Sequence, residues 1–583
     1  NGYAAQFVHV EGLALNADSF GETTEDGYWQ INDASELTFG TNGFLLEGGT
    51  NIAAGTDSSG NDNDFSKTGT ITATNDSPTN DSANDYGNKC TLSPIHPALG
   101  NAVLSNGNKT ITYNSGSPTG VGTFGFTSGK WVWEYDGATV HADHWVGVKN
   151  PNNSVVNGEQ TMYKTNGNKR IDSTDSSYGA SYTASNLITI ELDMDASPPT
   201  VRFFKDSADQ GAINLTAGIP YAPAVLYAGA SAGTFNFGES ALTLTPTSGH
   251  VPPSTENFPT PAIINPDDHF FSTVIDHDGS STAFTLPWNA DTYDTLFIVK
   301  NTTGAVEDWY YTDGLRGYNK YQTCPTLVTE TTSTTILTIS GTSVALGSTL
   351  GNKSYLVECH KAGLAGGVSN TEGAITSTVS ANTVSGFSIV HHTGTGANTN
   401  YGHGLDNAVD FRITFTTGQA HSPGTQHSSF SSGSSRVRLD ATHVMADDNT
   451  YWNGTFPSPT LLYVGTATFS NGSDHVIVDY CWHSVAGYSA FGSYEGNGAT
   501  DGPMITTNFS AGSSFFKPID ATDAWSLYPP VLSGGNPDNR LAFNNTALPA
   551  TDRPLDTLSN GLKVRTSNGV INPSSTVIYG AWG

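Results

Sequence analysis

The feature that most limits the fold is the spacing of turn-forming residues. Gly, Asn, Asp and Pro interrupt the apolar residues roughly every eight to twelve positions, and helical periodicity is almost absent. In places, apolar and polar residues alternate between these interruptions, as they do over residues 187–194. Short alternating segments joined by polar turns are typical of antiparallel sandwiches and barrels. The chain is therefore predicted to be all-β.

The charge balance excludes several classes of partner. Charged residues make up 13% of the chain, against roughly 25% in an average soluble protein, and the formal net charge is −30. A surface this acidic repels phosphate, so neither nucleic acid nor an anionic membrane surface is expected as a partner. No run of 18 apolar residues occurs, so no membrane-spanning helix is expected. The hydrophobic share of 36% is nevertheless enough for packed cores.

An internal repeat organises the C-terminal half. A strand that runs into a glycine turn recurs at residues 271–279, 387–394 and 491–496, with repeats a little over 100 residues apart. This spacing fits whole β-sandwich domains. Residues 1–90 hold too little apolar sequence for a full sandwich, so they are interpreted as the end of one or as an adaptor. The predicted segments are 1–90, the complete β domain 91–245, the Pro-rich linker 246–267, and the repeats 268–385, 386–487 and 488–583.

The N-terminal half resembles proteins of a known kind. Asn16-Ala-Asp-Ser-Phe-Gly-Glu22 and Gly55-Thr-Asp-Ser-Ser-Gly-Asn61 resemble the end of a concanavalin-like (laminin-G-like) sandwich in structural proteins of marine tailed phages. Residues 91–240 resemble the SPRY fold through Ser128-Gly-Lys-Trp-Val-Trp-Glu134 and Phe235-Asn-Phe-Gly238. The resemblance implies a concanavalin-like segment followed by a SPRY-like β-sandwich.

The three C-terminal repeats resemble tandem β domains of the same phage proteins. The similarity lies in motifs such as Gly402-His-Gly-Leu405 and Phe491-Gly-Ser-Tyr494. The middle repeat departs from the other two, because it lacks a tryptophan placed like Trp309 and Trp525. The resemblance as a whole implies tandem antiparallel β-sandwich domains of jelly-roll or concanavalin-like and SPRY-like type.

The resemblance also implies a function. Such proteins are virion components, so the chain is expected in the extracellular virion as part of a tail fibre or appendage that adheres to the host surface without catalysis. The implied partners are other virion proteins, a host surface glycan or protein, and further copies of the chain, with a trimer expected. One alternative is a head-decorating or other purely structural virion protein. A polysaccharide-cleaving enzyme is the less favoured alternative.

Three acidic residues on one strand are the sharpest candidate for catalysis. Glu191, Asp193 and Asp195 alternate, so their side chains share one face of the strand. Paired carboxylates could supply the nucleophile and the acid of a retaining glycosidase. The favoured alternative is structural, with Asp195 opening a hairpin.

An oxygen-rich loop is the candidate metal site. Asp57, Asn61, Asp62 and Asp64 lie within eight residues, and calcium takes oxygen ligands of this kind. The spacing is not that of an EF-hand, and a solvated Asx-turn loop is the favoured alternative. Apart from calcium at this loop, no cofactor is expected.

Loops of the SPRY-like domain are the predicted recognition site. Tyr163, Asn166, Tyr178 and Tyr182 are interpreted as exposed glycan-facing residues, because binding groups often lie on loops held by a rigid scaffold. Trp131 and Trp133 are interpreted as core residues, with a sugar-stacking platform as the alternative.

Neither histidines nor cysteines form a recognisable metal or redox motif. The neighbouring pairs His141 with His144 and His391 with His392 lack a third ligand, and surface loops are the favoured interpretation. The four cysteines are interpreted as buried small apolar residues.

Overall fold

The computed structural model describes residues 6–23, 29–47, 50–71, 73–74, 76, 87–153, 158–227, 229–258 and 261–583. The chain forms two compact units, Asn1–Thr260 and Pro261–Gly583. Strands pair antiparallel in the sheets of the described residues, which confirms the predicted all-β fold class. The helices there are short: Ala17–Ser19, Thr50–Ala54, Pro97–Leu99, Thr255–Asn257, Pro266–Asp268, Asn449–Trp452, Thr468–Asn471 and Pro530–Leu532.

The N-terminal part of the first unit has only a small core. Its strands form two-stranded sheets, in which Phe7–His9 pairs with Phe44–Leu46 and Gly21–Thr23 pairs with Trp29–Ile31. The core consists of Ala34, Phe39 and Leu45. The choice between a sandwich fragment and an adaptor stays a prediction.

Two larger sheets enclose the main core of the first unit. The six-stranded sheet runs in the spatial order Thr174–Ser177, Asn168–Ile171, Gln160–Lys164, His144–Lys149, Ala222–Tyr227 and Thr119–Val121. The seven-stranded sheet runs in the order Ala208–Asn214, Thr200–Lys205, Leu187–Asp193, Lys130–Thr139, Ser231–Asn236, Thr110–Tyr113 and Val103–Ser105. Trp131 and Trp133 are buried in this core, which confirms their interpretation as core residues.

The proline-rich segment is not a free linker over its whole length. The Val132 amide donates to the carbonyl of Val251 at 2.9 Å, and the Cys90 amide donates to the carbonyl of Pro253 at 2.8 Å. Proline lacks an amide donor but keeps its carbonyl acceptor, so such a segment can pair with a sheet at its edge. The boundary between the units follows Thr260. Residues 246–258 therefore belong to the first unit.

The second unit contains three main sheets, one in each repeat. The first is ordered Phe270–His277, Lys353–Leu364, Tyr293–Asn301, Trp309–Asp313, Lys320–Cys324 and Thr331–Thr332. The second is ordered Val368–Asn370, Ser377–Asn382, Phe387–Thr393, Val476–Trp482, Phe411–Thr416, Gly424–His427, Ser435–Arg438 and Ala446–Asp447. The third is ordered Ser489–Glu495, Thr576–Trp582, Ser513–Pro518 and Ser526–Tyr528.

Each main sheet is joined by a smaller second sheet. These are Ser281–Thr285, Ser343–Gly347 and Leu337–Ser340 in the first repeat; Thr399–Gly402 and Leu461–Val464 in the second; and Met504–Thr506, Gly561–Val564 and Leu555–Leu558 in the third. The strands Val368–Asn370 and Ser377–Asn382, which the sequence assigns to the first repeat, pair with the second repeat's sheet. The three main sheets share one spatial order of strands. The opening strand (Phe270–His277, Phe387–Thr393 or Ser489–Glu495) lies beside the closing strand (Lys353–Leu364, Val476–Trp482 or Thr576–Trp582). Next come the middle strand (Tyr293–Asn301, Phe411–Thr416 or Ser513–Pro518) and the third strand (Trp309–Asp313, Gly424–His427 or Ser526–Tyr528).

The register identifies equivalent positions in the three closing strands. His360 lies opposite residues of its opening and middle strands, as do Trp482 and Trp582 in their repeats. These three side chains contact one another, with ring centroids 5.1 to 5.7 Å apart. One apolar core contains residues of all three repeats. The repeats therefore meet at a common centre.

Each repeat contacts the next in the same direction, through what we call a joint. In a joint, the middle and third strands of one repeat meet the segment that follows the third strand of another. The Trp309 indole N–H donates to the carbonyl of Ala542 at 2.9 Å, so the first repeat joins the third. The Trp525 indole N–H donates to the carbonyl of Arg438 at 2.9 Å, so the third joins the second. Gln322 donates to the carbonyl of Thr416 at 2.9 Å, so the second joins the first. Three head-to-tail joints close a ring.

Candidate functional site

The candidate recognition site lies where loops of the first unit meet one edge of the sandwich core. Tyr163 lies on the strand Gln160–Lys164 and is fully buried, and Tyr182 is 3% exposed. The prediction that these two side chains are exposed on loops is therefore wrong. Tyr178 is half-buried, and only Asn166 of the four predicted residues is exposed.

Hydrogen bonds explain why the tyrosines turn inward. The Tyr163 hydroxyl donates to the carbonyl of Ala180, and the Tyr178 hydroxyl donates to the carbonyl of Gly211. The Tyr182 hydroxyl lies 3.2 Å from the carbonyls of His144 and Tyr163. A buried tyrosine needs such a partner for its hydroxyl, while its ring fills the core. These tyrosines therefore anchor the loop at residues 178–186, leaving its other residues to face solvent.

A histidine lies among these anchors. His144 is fully buried, and its ring centroid is 4.8 Å from that of Tyr227 and 5.2 Å from that of Tyr135. The tyrosine hydroxyls of that pair are 3.0 Å apart. Burial lowers the pKa of His144 to about 3, so the imidazole is neutral. The interpretation of His144 as a surface loop histidine is wrong, because the side chain points from its strand into the aromatic core.

Asn166 occupies the tip of a turn held against the anchored loop. Its side-chain oxygen accepts from the Asn168 amide at 3.0 Å. The next residue, Gly167, has φ +87°, and a Cβ there would lie 2.5 Å from the carbonyl oxygen of Gly179. Only glycine fits this close approach without strain. The turn therefore presents Asn166 at a fixed place beside the loop.

An open depression of about 370 Å³ lies beside the anchored loop. The residues that line it are Val140, His141, Ala142, Thr165, Tyr182, Thr183 and Ala184. Its polar groups are hydroxyls, main-chain groups and the exposed imidazole of His141, whose Nδ1 accepts from the Asp143 amide at 3.2 Å. None of these lining residues carries a carboxylate. Uncharged hydrogen-bonding groups beside an aromatic edge can bind a hydroxyl-rich ligand such as a sugar.

The acidic strand has main-chain partners for each carboxylate. Glu191 is buried and accepts from the Thr247 amide at 2.7 Å. Asp193 accepts from two amides at 3.0 Å and pairs with Lys130 at 3.0 Å, and Asp195 accepts from the Gly129 amide at 2.7 Å. Burial acts to raise the pKa of Asp193, but these partners outweigh it and lower the pKa. This geometry favours the structural interpretation of the strand over a glycosidase pair.

The predicted calcium loop is closed by its own hydrogen bonds. One oxygen of Asp57 accepts from the amides of Leu45 and Ser59, and the other accepts from the Asn63 amide, each at 2.9 Å. Asp64 accepts from the Asp57 amide at 2.9 Å. Asn61 donates to the carbonyls of Gly40 and Gly43. These contacts favour the Asx-turn interpretation, and calcium binding that includes Asp62 stays a prediction.

The described residues contain neither a cluster of potential metal ligands nor a long apolar helix. No group of three or more His, Cys, Asp or Glu residues placed to hold a metal ion occurs among them. Within the same residues, no helix is long and apolar enough to cross a membrane. The four cysteines are buried and unpaired, as predicted.

The comparisons with known proteins concern the two units differently. Residues 265–583 match the family model described as Domain of unknown function (DUF7483), which is more than half of the chain. The chain belongs to this family. The DUF7483 region coincides closely with the ring of three repeats in the second unit. No curated protein matches the chain.

Part of the chain is similar to solved SPRY domains. The SPRY domain of human HERC1 is 20% identical with a TM-score of 0.20, and the match covers 23% of this chain and 91% of that one. A human SPRY domain is 14% identical with a TM-score of 0.20, covering 24% and 97%. The PSpry domain of TRIM65 is 13% identical with a TM-score of 0.22, covering 25% and 92%. At these values the similarity carries no information on function.

Proposed function

We propose that the chain is a structural protein of a phage virion, in a tail fibre or similar appendage, that adheres to a host surface without catalysis. The observation that carries the proposal is the anchored loop of the first unit. Two buried tyrosines and the half-buried Tyr178 hold it in place, and it borders an open depression whose lining residues carry no carboxylate. A preformed surface of this kind binds a hydroxyl-rich ligand with little loss of conformational entropy.

The DUF7483 ring supports the structural part of the proposal. Its joints bury lysines as well as tryptophans. The ammonium of Lys300 donates to the carbonyls of Glu307 at 2.9 Å and Thr546 at 3.1 Å, and that of Lys517 donates to the carbonyl of Asp523 at 2.8 Å. Such joints link repeats that are distant in sequence. They suit a component that transmits force rather than one that opens around a substrate.

The proposed partners are a host surface glycan or protein, other virion proteins, and further copies of the chain. The sequence resemblance supports a trimer. Within the ring, each chain already contains three equivalent β domains around one centre. Copies of the chain would then assemble through surfaces outside that centre.

Binding of the full chain to an array of bacterial surface polysaccharides tests the adhesive role. Asn166→Ala and Thr183→Ala are expected to weaken binding about tenfold, since each removes a polar group at the depression or the adjacent turn. Ser176→Ala, on the exposed edge strand Thr174–Ser177, is the matched control and is expected to bind as the unmodified chain does.

Three outcomes would count against this function. Release of reducing sugar, abolished by Glu191→Gln, would overturn the non-enzymatic role. If the three variants Asn166→Ala, Thr183→Ala and Ser176→Ala bind equally well, the depression is not the binding site. If no polysaccharide binds and a virion map places the chain on the head, the purely structural alternative holds.

A further inference from the structure

The depression beside the anchored loop has a lining that narrows the class of ligand. Its residues carry neither a carboxylate nor an ammonium or guanidinium group. Its volume of about 370 Å³ lies near the lower end of the roughly 300–1,000 Å³ that ligand sites span. The depression therefore suits one small uncharged group of a sugar better than an extended stretch of polymer.

His141 supplies a hydrogen-bond donor at a fixed place in this lining. Its Nδ1 accepts from the Asp143 amide at 3.2 Å, and its own amide donates to the Ser231 hydroxyl at 3.1 Å. A Cβ at Gly229 would lie 2.8 Å from Cδ2 of the imidazole, so only glycine lets the backbone lie this close to the ring. An imidazole whose Nδ1 accepts a hydrogen bond carries its hydrogen on Nε2. His141 therefore offers a ligand the Nε2–H group.

The two threonines of the lining supply acceptors. The Thr165 hydroxyl donates to the carbonyl of Ala142, and the Thr183 hydroxyl donates to Oδ1 of Asn186 at 3.2 Å. The Ser185 hydroxyl, 2.9 Å from that of Thr183, takes up at most one further lone pair. A hydroxyl has one hydrogen and two lone pairs, so both threonine oxygens can still accept. The lining side chains thus present one donor and two acceptors.

Small apolar side chains complete the lining. They belong to Val140, Ala142 and Ala184. The hydroxyl of Tyr182 is already engaged within the core, so this residue adds no polar group. A ligand that carries only hydroxyls gains nothing from the apolar side chains, whereas a methyl group placed against them is removed from water.

We infer that the depression binds an acetamido group, so that the host polysaccharide contains N-acetylated sugars. Such a group combines one acceptor, one donor and one methyl. Its carbonyl accepts from Nε2 of His141, its N–H donates to the oxygen of Thr165 or Thr183, and its methyl packs against Val140 and the two alanines. An acetyl ester lacks the N–H, and a carboxylate would find no ammonium or guanidinium partner in the lining. The inference rests on the proposed function, since it names the sugar class for the same site.

Titration of the full chain with matched pairs of methyl glycosides, followed by ligand-observed NMR, tests the inference. The pairs are N-acetylglucosamine with glucose, N-acetylgalactosamine with galactose, and N-acetylmannosamine with mannose, which differ only in the substituent at carbon 2 of the ring. We expect at least one acetamido glycoside to bind about tenfold more tightly than its partner, because it adds a buried methyl and a hydrogen bond.

Two variants examine the groups that create this preference. Val140→Thr exchanges a methyl for a hydroxyl of similar size, so it should weaken binding of the acetamido glycoside about threefold and leave its partner unchanged. His141→Phe keeps a ring without an N–H and should also reduce the preference. Val103→Thr, at a residue that is 63% exposed on the strand Val103–Ser105, is the matched control and should keep the preference in full.

The outcomes separate this inference from the proposed function. Equal affinities within all three pairs, or a preference that survives both Val140→Thr and His141→Phe, would overturn the acetamido assignment. If the polysaccharide array shows binding that Thr183→Ala weakens but no glycoside of the pairs binds, the acetamido assignment fails and the adhesive function stands. Absence of binding in both assays would overturn both.

Discussion

Two buried arginines of the DUF7483 ring differ in how their donors are filled. Arg316, near the joint between the second and first repeats, donates from Nε to Asp313 at 2.6 Å. Its Nη1 donates to Gln322 at 3.0 Å, and its Nη2 donates to the hydroxyl of Tyr480 at 2.8 Å. Arg412, in the core of the second repeat, has a single hydrogen bond. Two arginines with buried side chains can therefore differ widely in how many of their donors are filled.

The joints differ in a related way. The first and third repeats use the same pair of residues, Lys300 with Trp309 and Lys517 with Trp525, to reach the next repeat. In the second repeat, Phe415 stands at the position of the lysine and Pro423 at that of the tryptophan. This is the tryptophan that the middle repeat lacks. Its joint with the first repeat instead adjoins the Arg316 cluster. One of the three joints thus adjoins a buried ion pair, whereas in the other two a lysine ammonium and an indole N–H donate to neutral carbonyl groups.

Removing the charge that compensates Arg316 should have the largest effect. Asp313→Asn leaves the buried Arg316 guanidinium with only the partly buried Glu330, 3.3 Å from Nη1, as a carboxylate partner, and we expect it to lower the free energy of unfolding by about 3 kcal/mol. Asp552→Asn is the control, since Asp552 pairs with Arg540 but has a side chain 52% exposed, and about 1 kcal/mol or less is expected there. Urea unfolding of the full chain measures both. A loss for Asp313→Asn no larger than that of the control would contradict the comparison.

A buried acid with one partner should make the ring sensitive to pH. Glu358, fully buried where the first and third repeats meet, accepts from the Ser513 hydroxyl at 2.6 Å. Burial raises its pKa from 4.5 to about 7. The folded chain thus holds the proton more tightly than the unfolded chain. The associated stability is complete below about pH 4.5 and is lost as pH rises through about 7, by roughly 3 kcal/mol.

Glu358→Gln cannot ionise, so this loss should disappear. The measurement is urea unfolding of both proteins at several pH values from 4 to 8. Glu372→Gln, at an exposed residue of the turn between the strands Val368–Asn370 and Ser377–Asn382, is the control and should leave the pH dependence unchanged. Parallel pH curves for the unmodified chain and Glu358→Gln would show that Glu358 does not titrate in this range.

The two joints that use a lysine and a tryptophan should give smaller and equal losses in the free energy of unfolding. Trp309→Phe leaves the carbonyl of Ala542 without its donor, and Trp525→Phe does the same to the carbonyl of Arg438. Each change should lower the free energy of unfolding by about 1–3 kcal/mol, because a buried acceptor is left unpaired. Urea unfolding compares the two. Clearly unequal losses would mean that these joints are not equivalent, as the ring geometry requires.

Much of the fold could be predicted where apolar residues alternate. The alternating segment 187–194 forms the strand Leu187–Asp193. Strands such as Thr174–Ser177 and Ala208–Asn214 are largely exposed and carry no regular alternation, so the same pattern could not predict them. The ring itself could not be predicted. It depends on contacts between residues more than 200 positions apart, such as Trp309 with Ala542.

The candidate site was harder to predict than the fold. A tyrosine in a polar segment is predicted to be an exposed recognition residue. The sequence does not show whether its hydroxyl can reach a buried carbonyl group, which is what allows the side chain to turn inward. Asn166 is exposed, as predicted, and it opens an Asn-Gly pair of the kind that is common in turns. His141 is exposed as expected, but the sequence does not show that it, Thr165 and Thr183 line one depression, since their grouping depends on the folded path of the loop. The burial of Arg412 could not be predicted either, because one arginine within a strand pattern does not reveal it.

The smallest expected effect concerns an anchor outside the ring. Tyr163→Phe keeps the ring of this buried side chain but loses the hydroxyl that donates to the carbonyl of Ala180. The free energy of unfolding should fall by about 1 kcal/mol. Amide hydrogen exchange should quicken at residues 178–186, because their anchor is weakened, and should be unchanged in the DUF7483 region. If exchange at 178–186 is unaltered, the tyrosines fill the core without holding the loop.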